Sequence, residues 1–379
     1  MVFQFIHTAD WQLGKGFANI PGDAGGALRD RRIETVKAVG RLATERGVDA
    51  VLVAGDAFDA NAVAHRTLMR MLDGLREFSG DWVFIPGNHD PALADSVWTR
   101  LQKRLQDRKP PNVHLALQPE QPLPLAGGRA VVLPAVLQRK HEIGDLTAWF
   151  DHGETPEGAI RIGLAHGSVP EYLPNASDAT NPVTAGRADA ARLDYLALGD
   201  WHGTLRINDR TWYAGTPETD SFSSSDPGNV LVVTIDEPGA PAQVETVPIG
   251  HFLWYSEAAE VRCADDVDAL HRRISQLAPD PARCLLRLTL SGAVNLATRA
   301  TLSERREDWS ALLHHLDVQD HGLVDEPSDD DLDRIDRGGF VRTAVERLQS
   351  RARNPADPDR GVAMTALRRL YEIHVGTGD

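Results

Sequence analysis

Three acidic segments near the start of the chain each follow an apolar run. They are Asp10-Trp11-Gln12 after Val2-Phe3-Gln4-Phe5-Ile6, Gly55-Asp56-Ala57-Phe58-Asp59 after 48–54, and Gly87-Asn88-His89-Asp90 after Trp82-Val83-Phe84-Ile85-Pro86. Two later segments repeat the pattern: Ile162-Gly163-Leu164-Ala165-His166 and Tyr195-Leu196-Ala197-Leu198-Gly199-Asp200-Trp201-His202. Carboxylate, amide and imidazole side chains are hard or borderline ligands for divalent cations. Just past buried strands, such residues sit where the carboxyl ends of neighbouring strands converge in an α/β sheet. Five strand ends thus deliver Asp10 and Gln12, Asp56, Asn88 and His89, His166, and Asp200 and His202. Each segment alone is ordinarily structural, a turn or a packed strand end; the ordered set of five specifies a metal centre.

The elements that must position these residues are legible in the periodicity. From residue 2 to about 235, short apolar strands alternate with amphipathic helices, an α/β pattern. Strands are predicted at 2–6, 48–54, 82–85, 112–117, 130–133, 160–165, 195–198, 211–214 and 229–235, and helices at 28–46, 61–78 and 96–106. In the second helix Leu68, Met69, Leu72 and Leu75 are read as a core face. The turns Asn208-Asp209 and Asp226-Pro227-Gly228-Asn229 have no helix between them, so the sheets are expected to finish in antiparallel pairs. Two packed sheets flanked by helices follow. The pattern resets near 250, giving a first domain of 1–250. A smaller α+β module over 251–325 is read as strand, helix (267–277), strand (285–290), helix (301–316) and strand. A helical segment over 326–379 then carries basic helices at 338–352 and 361–374.

The chain has 379 residues, 42% apolar and 25% charged, with a net charge of −15. No run approaches the roughly 20 apolar residues of a membrane span. The first residues lack the basic start and apolar core of a secretory signal, and Cys263 and Cys284 form no CxxC pair. A cytoplasmic, disulfide-free protein without membrane attachment is expected. The net charge has the wrong sign for gripping nucleic acid by overall electrostatics. Basic residues nevertheless gather at 29–32, 100–109 and 347–353, either as solvated helix faces or as contacts for a polyanion.

In order and type, the five segments resemble the signature of the calcineurin-like metallophosphoesterases: DxH, GDxxD, GNHD, a strand-end His and GHxH. Within that superfamily the phrase His7-Thr8-Ala9-Asp10-Trp11-Gln12-Leu13-Gly14-Lys15 resembles the SbcD-type DNA repair nucleases, as does Ala214-Gly215-Thr216-Pro217-Glu218 with Ser221-Phe222. The resemblance is strong over the first 235 residues or so, and the later module stands where that family has a DNA-capping domain. Two positions depart from the signature. Gln12 stands for its first histidine, and Asp200 for the first histidine of GHxH. Both replacements offer oxygen, which hardens the shell and favours manganese over zinc. A bacterial subgroup encoded beside a helicase and a DNA ligase is similar in this respect.

The resemblance implies a two-sheet metallophosphoesterase sandwich and a binuclear centre holding two Mn2+. One ion would be held by Asp10, Gln12, Asp56 and His202, the other by Asp56, Asn88, His166 and Asp200, with Asp56 bridging. Two ions supply a hydroxide near neutral pH and charge stabilisation on the attacking and departing oxygens. His89 would act on the phosphate or the leaving oxygen, and an unperturbed histidine titrates in a range that suits this. Asp90 is expected to orient His89 or cap the next helix, and Asp59 to fix its own loop. Trp11 and Trp201 are read as packing around the metal loops or stacking on bases, and Lys15 and Arg139-Lys140 as phosphate contacts. The implied function is a manganese-dependent DNA nuclease, an endonuclease on single-stranded or unpaired DNA in repair. Alternatives are a nucleotide phosphodiesterase or phosphatase on small substrates, and a nuclease-like subunit whose C-terminal helices dock an ATPase or helicase. Monomer and homodimer stay open.

Overall fold

The computed structural model describes residues 2–108, 112–172, 181–222, 225–328, 330–331, 335 and 339–376. Lys109, Asp329 and Gly338, which the sequence readings include, lie outside them. Two compact units divide the chain, 1–252 and 253–379.

In chain order the first unit runs β1 (Phe3–Thr8), α1 (Gly22–Arg46), β2 (Ala50–Ala54), α2 (His65–Gly74), β3 (Asp81–Ile85), α3 (Val97–Arg108), β4 (Val113–Leu115), β5 (Leu123–Leu125), β6 (Ala130–Pro134), β7 (Ile160–His166), α4 (Arg187–Ala190), β8 (Tyr195–Gly199), β9 (Leu205–Arg206), β10 (Thr211–Tyr213), β11 (Asn229–Ile235) and β12 (Gln243–Pro248). The strands form two six-stranded sheets, ordered β12-β11-β1-β2-β3-β4 and β5-β6-β7-β8-β10-β9. This is a mixed α/β architecture of two large sheets flanked by helices.

Side chains alternate across a strand, so each central strand feeds two cores. Ala50, Leu52 and Ala54 of β2, Val83 and Ile85 of β3, Ile162 and Leu164 of β7, and Tyr195 and Ala197 of β8 fill the space between the sheets. Val51 and Val53, with Trp82 and Phe84, pack instead on Ile33, Val36 and Val39 of α1, on α2 and on α3. Leu196 and Leu198 form a third core with Trp149 and Phe150. Burial on both faces explains why these strands read as continuous apolar runs. His7 ties the two sheets together. Its Nε2 hydrogen donates to the Leu198 carbonyl at 3.1 Å, and its Nδ1 accepts from the Tyr195 hydroxyl at 3.1 Å. Burial pushes its pKa down to about 3 against the opposing effect of the Leu198 bond, so the ring is neutral and able to make both bonds.

Several sequence readings change. Helix α2 is shorter than 61–78 and continues as a 3-10 turn over Leu75–Glu77. Its buried face is Leu68, Met71, Leu72 and Leu75. Met69 is half-buried, because a 3.6-residue period turns it about 100° from Leu68. The antiparallel ending is only partly realised. β9 and β10 form a hairpin around Asn208-Asp209, yet β10 pairs parallel with β8. Asp226 to Asn229 is not a hairpin turn; it carries the chain from one sheet to the other, where β11 pairs antiparallel with β1 and β12. Strand β5 was hidden by Pro124, which an edge strand tolerates.

The second unit contains β13 (Leu253–Glu260), α5 (Ala264–Ser275), β14 (Cys284–Val294), α6 (Leu296–Leu312), β15 (His315–Asp325), α7 (Gly339–Arg353) and α8 (Arg360–Gly376). Its three strands are all parallel in the order β13-β14-β15, with α5 and α6 as crossovers. Leu286, Leu288 and Leu290 pack there on Val267, Ile274, Leu302 and Trp309. Helix α6 starts and stops earlier than 301–316. The Asn295 side chain caps it at the Thr298 amide, 2.8 Å away, and Asp331 accepts from the amides of Leu296 and Ala297. Cys263 and Cys284 are free thiols. Among the described residues no helix is long and apolar enough to cross a membrane.

Candidate metal centre

Strands β1, β2 and β3 are mutually parallel in one sheet, and β7 and β8 in the other. The five segments singled out in the sequence follow the carboxyl ends of these five strands. Backbone bonds zip the loops together: Asp10 N–H to the Gly55 carbonyl at 3.1 Å, and Gln12 N–H to the Asp56 carbonyl at 3.0 Å. Asp10, Gln12, Asp56 and Asp200 all have left-handed backbones, with φ of 53°, 48°, 50° and 101°. Non-glycine residues seldom adopt this, at a cost of roughly 1–3 kcal/mol each, and such strain gathers at functional sites. Two glycines make room for the crowding. A Cβ on Gly87 would lie 2.1 Å from Asp56 Oδ1, and one on Gly199 2.0 Å from the Ala54 carbonyl.

One oxygen each of Asp10 and Asp56 and one nitrogen of His166 lie within 4.8 Å of one another, and all three residues are buried. The rest of the set closes around them. His166 Nε2 is 3.2 Å from Asn88 Oδ1, 3.5 Å from Asp56 Oδ1 and 3.7 Å from Asp200 Oδ1. Its Nδ1 donates to the Ala54 carbonyl at 2.8 Å, which aims Nε2 into the cluster. His202 Nε2 stands 4.0 Å from Asp10 Oδ1. The Asp200 amide donates to Asp10 at 3.2 Å. Ser168 Oγ donates to Asp200 Oδ2 at 2.6 Å, leaving Oδ1 to face Asn88 and His166.

Gln12 provides the sharpest test of fit to a cation. Its Nε2 donates to Asp56 Oδ2 at 2.8 Å, while its Oε1 is buried and accepts no hydrogen bond. An orphaned buried acceptor costs about 1–3 kcal/mol. A divalent ion satisfies it, and a donor set of carboxylate and amide oxygens with imidazole nitrogens suits a hard or borderline ion. The residues present therefore fit a metal.

Proton binding points the same way. Burial, with the nearby Asp56 and Asp200 charges, raises the Asp10 carboxyl to about 7 against the pull of His166 and His202. Burial disfavours the His166 cation, but the charges of Asp56, Asp10 and Asp200 outweigh it and lift the ring to about 9. Both pKa values are raised above the unfolded 3.8 and 6.5, so their contribution to stability is complete below those values and is lost as pH climbs through about 7 and about 9. Metal-free protein is expected to lose melting temperature between pH 6 and 9, and the gain on adding Mn2+ to grow over that window, because ions displace these protons. Asp90, raised to about 8 by burial and the Asp56 charge, adds to the loss in metal-free protein over the same window. Thermal melts with chelator and with manganese check this; a manganese gain that shrinks as pH rises would contradict it.

The remaining readings divide. His89 is exposed; its amide donates to Asp56 Oδ1 at 2.9 Å and its Nδ1 to the Asp59 carbonyl at 3.0 Å, so Nε2 is left toward solvent. Asp90 neither orients that ring nor caps α3. Its carboxylate takes the amides of Gly87 at 2.6 Å and Phe58 at 3.0 Å, riveting one loop to another. Trp11 is not available to bases: it is buried edge-on against Trp82 and Phe84, with its Nε1 on Thr8 Oγ1. Trp201 is half-buried, and Arg139 and Lys140 are exposed.

Sequence reasoning missed Asp220 and Ser168. Asp220 accepts from His202 Nδ1 at 3.2 Å, from Lys15 Nζ at 2.6 Å, and lies 3.2 Å from Arg32. Burial alone would raise its carboxyl, but His202, Arg32 and Lys15 hold it far below the usual range. Glu218 accepts from the amides of His251 and Phe252 and from Thr35 Oγ1, anchoring the same loop. No local pattern marks Asp220, which meets His202 from 18 residues away and Lys15 from 205.

Comparison with known proteins agrees with this geometry. The DNA double-strand break repair protein Mre11 of Methanosarcina acetivorans is 24% identical over 262 residues, covering 66% of this chain and 40% of that protein. A subunit of the nuclease SbcCD of Escherichia coli K12 is 25% identical over 252 residues, 58% of this chain and 61% of that one. YhaO, an uncharacterized metallophosphoesterase of Bacillus subtilis, is 24% identical over 306 residues, with 76% and 71% covered. The chain thus spans about two-fifths and three-fifths of the first two relatives. The family pattern of the calcineurin-like phosphoesterases matches residues 3–233. With this match on the strands and loops that carry the cluster, the chain belongs to the calcineurin-like phosphoesterase family.

Proposed function

We propose that this protein is a manganese-dependent DNA nuclease that hydrolyses phosphodiester bonds at a binuclear centre, acting as an endonuclease on single-stranded or unpaired DNA. The observation that carries the metal chemistry is the buried, unbonded Gln12 Oε1 beside Asp10, Asp56 and His166. One ion would be held by Asp10, Gln12, Asp56 and His202, the other by Asp56, Asn88, His166 and Asp200. Bound ions supply a hydroxide near neutral pH and neutralise charge on the phosphoryl oxygens.

The chain's own residues do the rest. The Gln12 and His89 hydrogen bonds to its two oxygens hold Asp56 in place between the two halves of the cluster. With Nδ1 committed to the Asp59 carbonyl, His89 presents Nε2 outward to protonate the departing oxygen. The oxygen-rich set, with Gln12 and Asp200 at positions where imidazole is usual, is the reason to expect manganese over zinc. The polymer substrate is supported by the names of the relatives, a double-strand break repair protein and a nuclease subunit. Helices α7 and α8 are the proposed docking elements for an ATPase or helicase partner. A second reading, hydrolysis of small nucleotide esters, is favoured by the net charge of −15, which repels a polyanion.

The test is cleavage of circular single-stranded DNA, linear duplex DNA and a chromogenic phosphodiester with manganese, magnesium, zinc or no metal, with His89→Ala as the control for contaminants. Manganese-dependent linearisation of the circle is expected, since an endonuclease needs no free end. Hydrolysis of the small ester alone would select the second reading.

A further inference from the structure

An acidic chain that cuts a polyanion needs a local positive surface where the strand lies. The loop after Gln12 has one. Lys15 follows Gln12 by three residues and donates its backbone N–H to the Gln12 carbonyl at 3.1 Å. Its ammonium bonds Asp220 Oδ2, and His202 Nδ1 lies 3.1 Å from the same oxygen, so the cation stands one carboxylate away from the candidate centre. Asp220 is shared among Lys15, His202 and Arg32, and one carboxylate cannot neutralise two permanent cations. The Arg32 side chain is 1% exposed and that of Lys15 28%, so of the two cations Lys15 is the one that reaches solvent. Arg29, exposed on α1, extends the rim. It donates to the carbonyl of Gly16, the residue next to Lys15, and has no carboxylate partner among the described residues.

The loop is held rather than loose. Leu13 N–H bonds the Ala57 carbonyl at 3.0 Å, and Phe17 is buried with the Arg32 guanidinium 5.7 Å from its ring. A cation fixed by such contacts pays little ordering entropy when it meets an anion.

We infer that Lys15, with Arg29 beside it, receives a phosphate flanking the scissile one, making this rim the element that favours a polynucleotide over a small ester. The inference rests on the nuclease reading above. Asp220 then has two positioning tasks: it sets the His202 ring on one side and the Lys15 ammonium on the other. A bis-aryl phosphate has no flanking phosphate and gains nothing from the rim.

The experiment compares wild type, Lys15→Gln and Lys15→Arg. Binding of a labelled single-stranded oligonucleotide is followed by anisotropy across salt concentrations without added catalytic metal, and kcat/KM is measured on the oligonucleotide and on bis(p-nitrophenyl) phosphate with manganese. Glutamine keeps a hydrogen bond to Asp220 but removes the charge. The salt slope of binding is expected to fall by about 0.7, the value of one single-strand phosphate contact, in Lys15→Gln and to recover in Lys15→Arg. The loss in kcat/KM on the oligonucleotide is expected to exceed that on the small ester by about tenfold. An unchanged slope, or equal losses on both substrates, overturns the role of Lys15 while leaving the nuclease reading intact. A wild-type protein that neither binds nor cuts the oligonucleotide overturns both.

Discussion

Asp56→Ala is expected to lose its bound metal and, with it, on the order of a thousandfold or more of phosphodiester hydrolysis, the equivalent of several kcal/mol of charge stabilisation. Asp56 is the side chain that touches both halves of the cluster. Oδ2 takes the Gln12 amide, and Oδ1 takes the His89 amide and lies 3.5 Å from His166 Nε2. Removing it deletes an anionic ligand and leaves the buried Gln12 amide and the His89 backbone amide without their acceptor. Fold loss is separable from site loss with Asp56→Asn, which keeps an acceptor oxygen for one of those donors but not the charge. Both variants are expected to bind far less manganese by equilibrium dialysis, with Asn retaining more of the metal-free melting temperature than Ala. Manganese content equal to wild type in Asp56→Ala would remove the bridging assignment.

His89→Ala is expected to do the opposite, keeping its metal and losing about a hundredfold to ten-thousandfold in kcat, the span of a general acid. The backbone amide that holds Asp56 survives the substitution, so the cluster keeps its shape. Among the described residues the ring hydrogen-bonds the Asp59 carbonyl alone and is exposed, so little packing is lost. Unaltered metal content with a collapsed turnover, and loss of one limb of the pH–rate profile, is the signature to look for. Turnover within roughly threefold of wild type would exclude acid catalysis by His89.

The two predictions rest on different levels of information. That Asp10, Gln12, Asp56, Asn88, His166, Asp200 and His202 end up together was legible beforehand, because each follows an apolar strand and parallel strands deliver their carboxyl ends to one edge. That His89 is fixed by the Asp59 carbonyl, while Asp90 rivets loops, was not. The two roles differ by a side-chain rotation that residue order does not encode. Trp11 illustrates the same limit. Its place between two ligands invited a role with bases, and only the packing against Trp82 and Phe84 ruled it out.

Local pattern determined most of the strands, the α/β class, the five strand-end segments and the existence, though not the bounds, of the helices of the second unit, because hydrophobic period and loop residues act over a few positions. Which sheet each strand joins was decided by tertiary structure. Strand β11 leaves β10 for β1, since pairing is settled by long-range fit of faces rather than by the turn between them. The supporting charges were decided there too. Asp220 and Lys15 are 205 residues apart, Arg32 reaches the same carboxylate from α1, and His202 is oriented only because the fold closes all of them around it. A ligand's identity is carried by its own residue and its strand; its orientation and the charge around it belong to distant residues, and only burial brings these within a hydrogen bond's length.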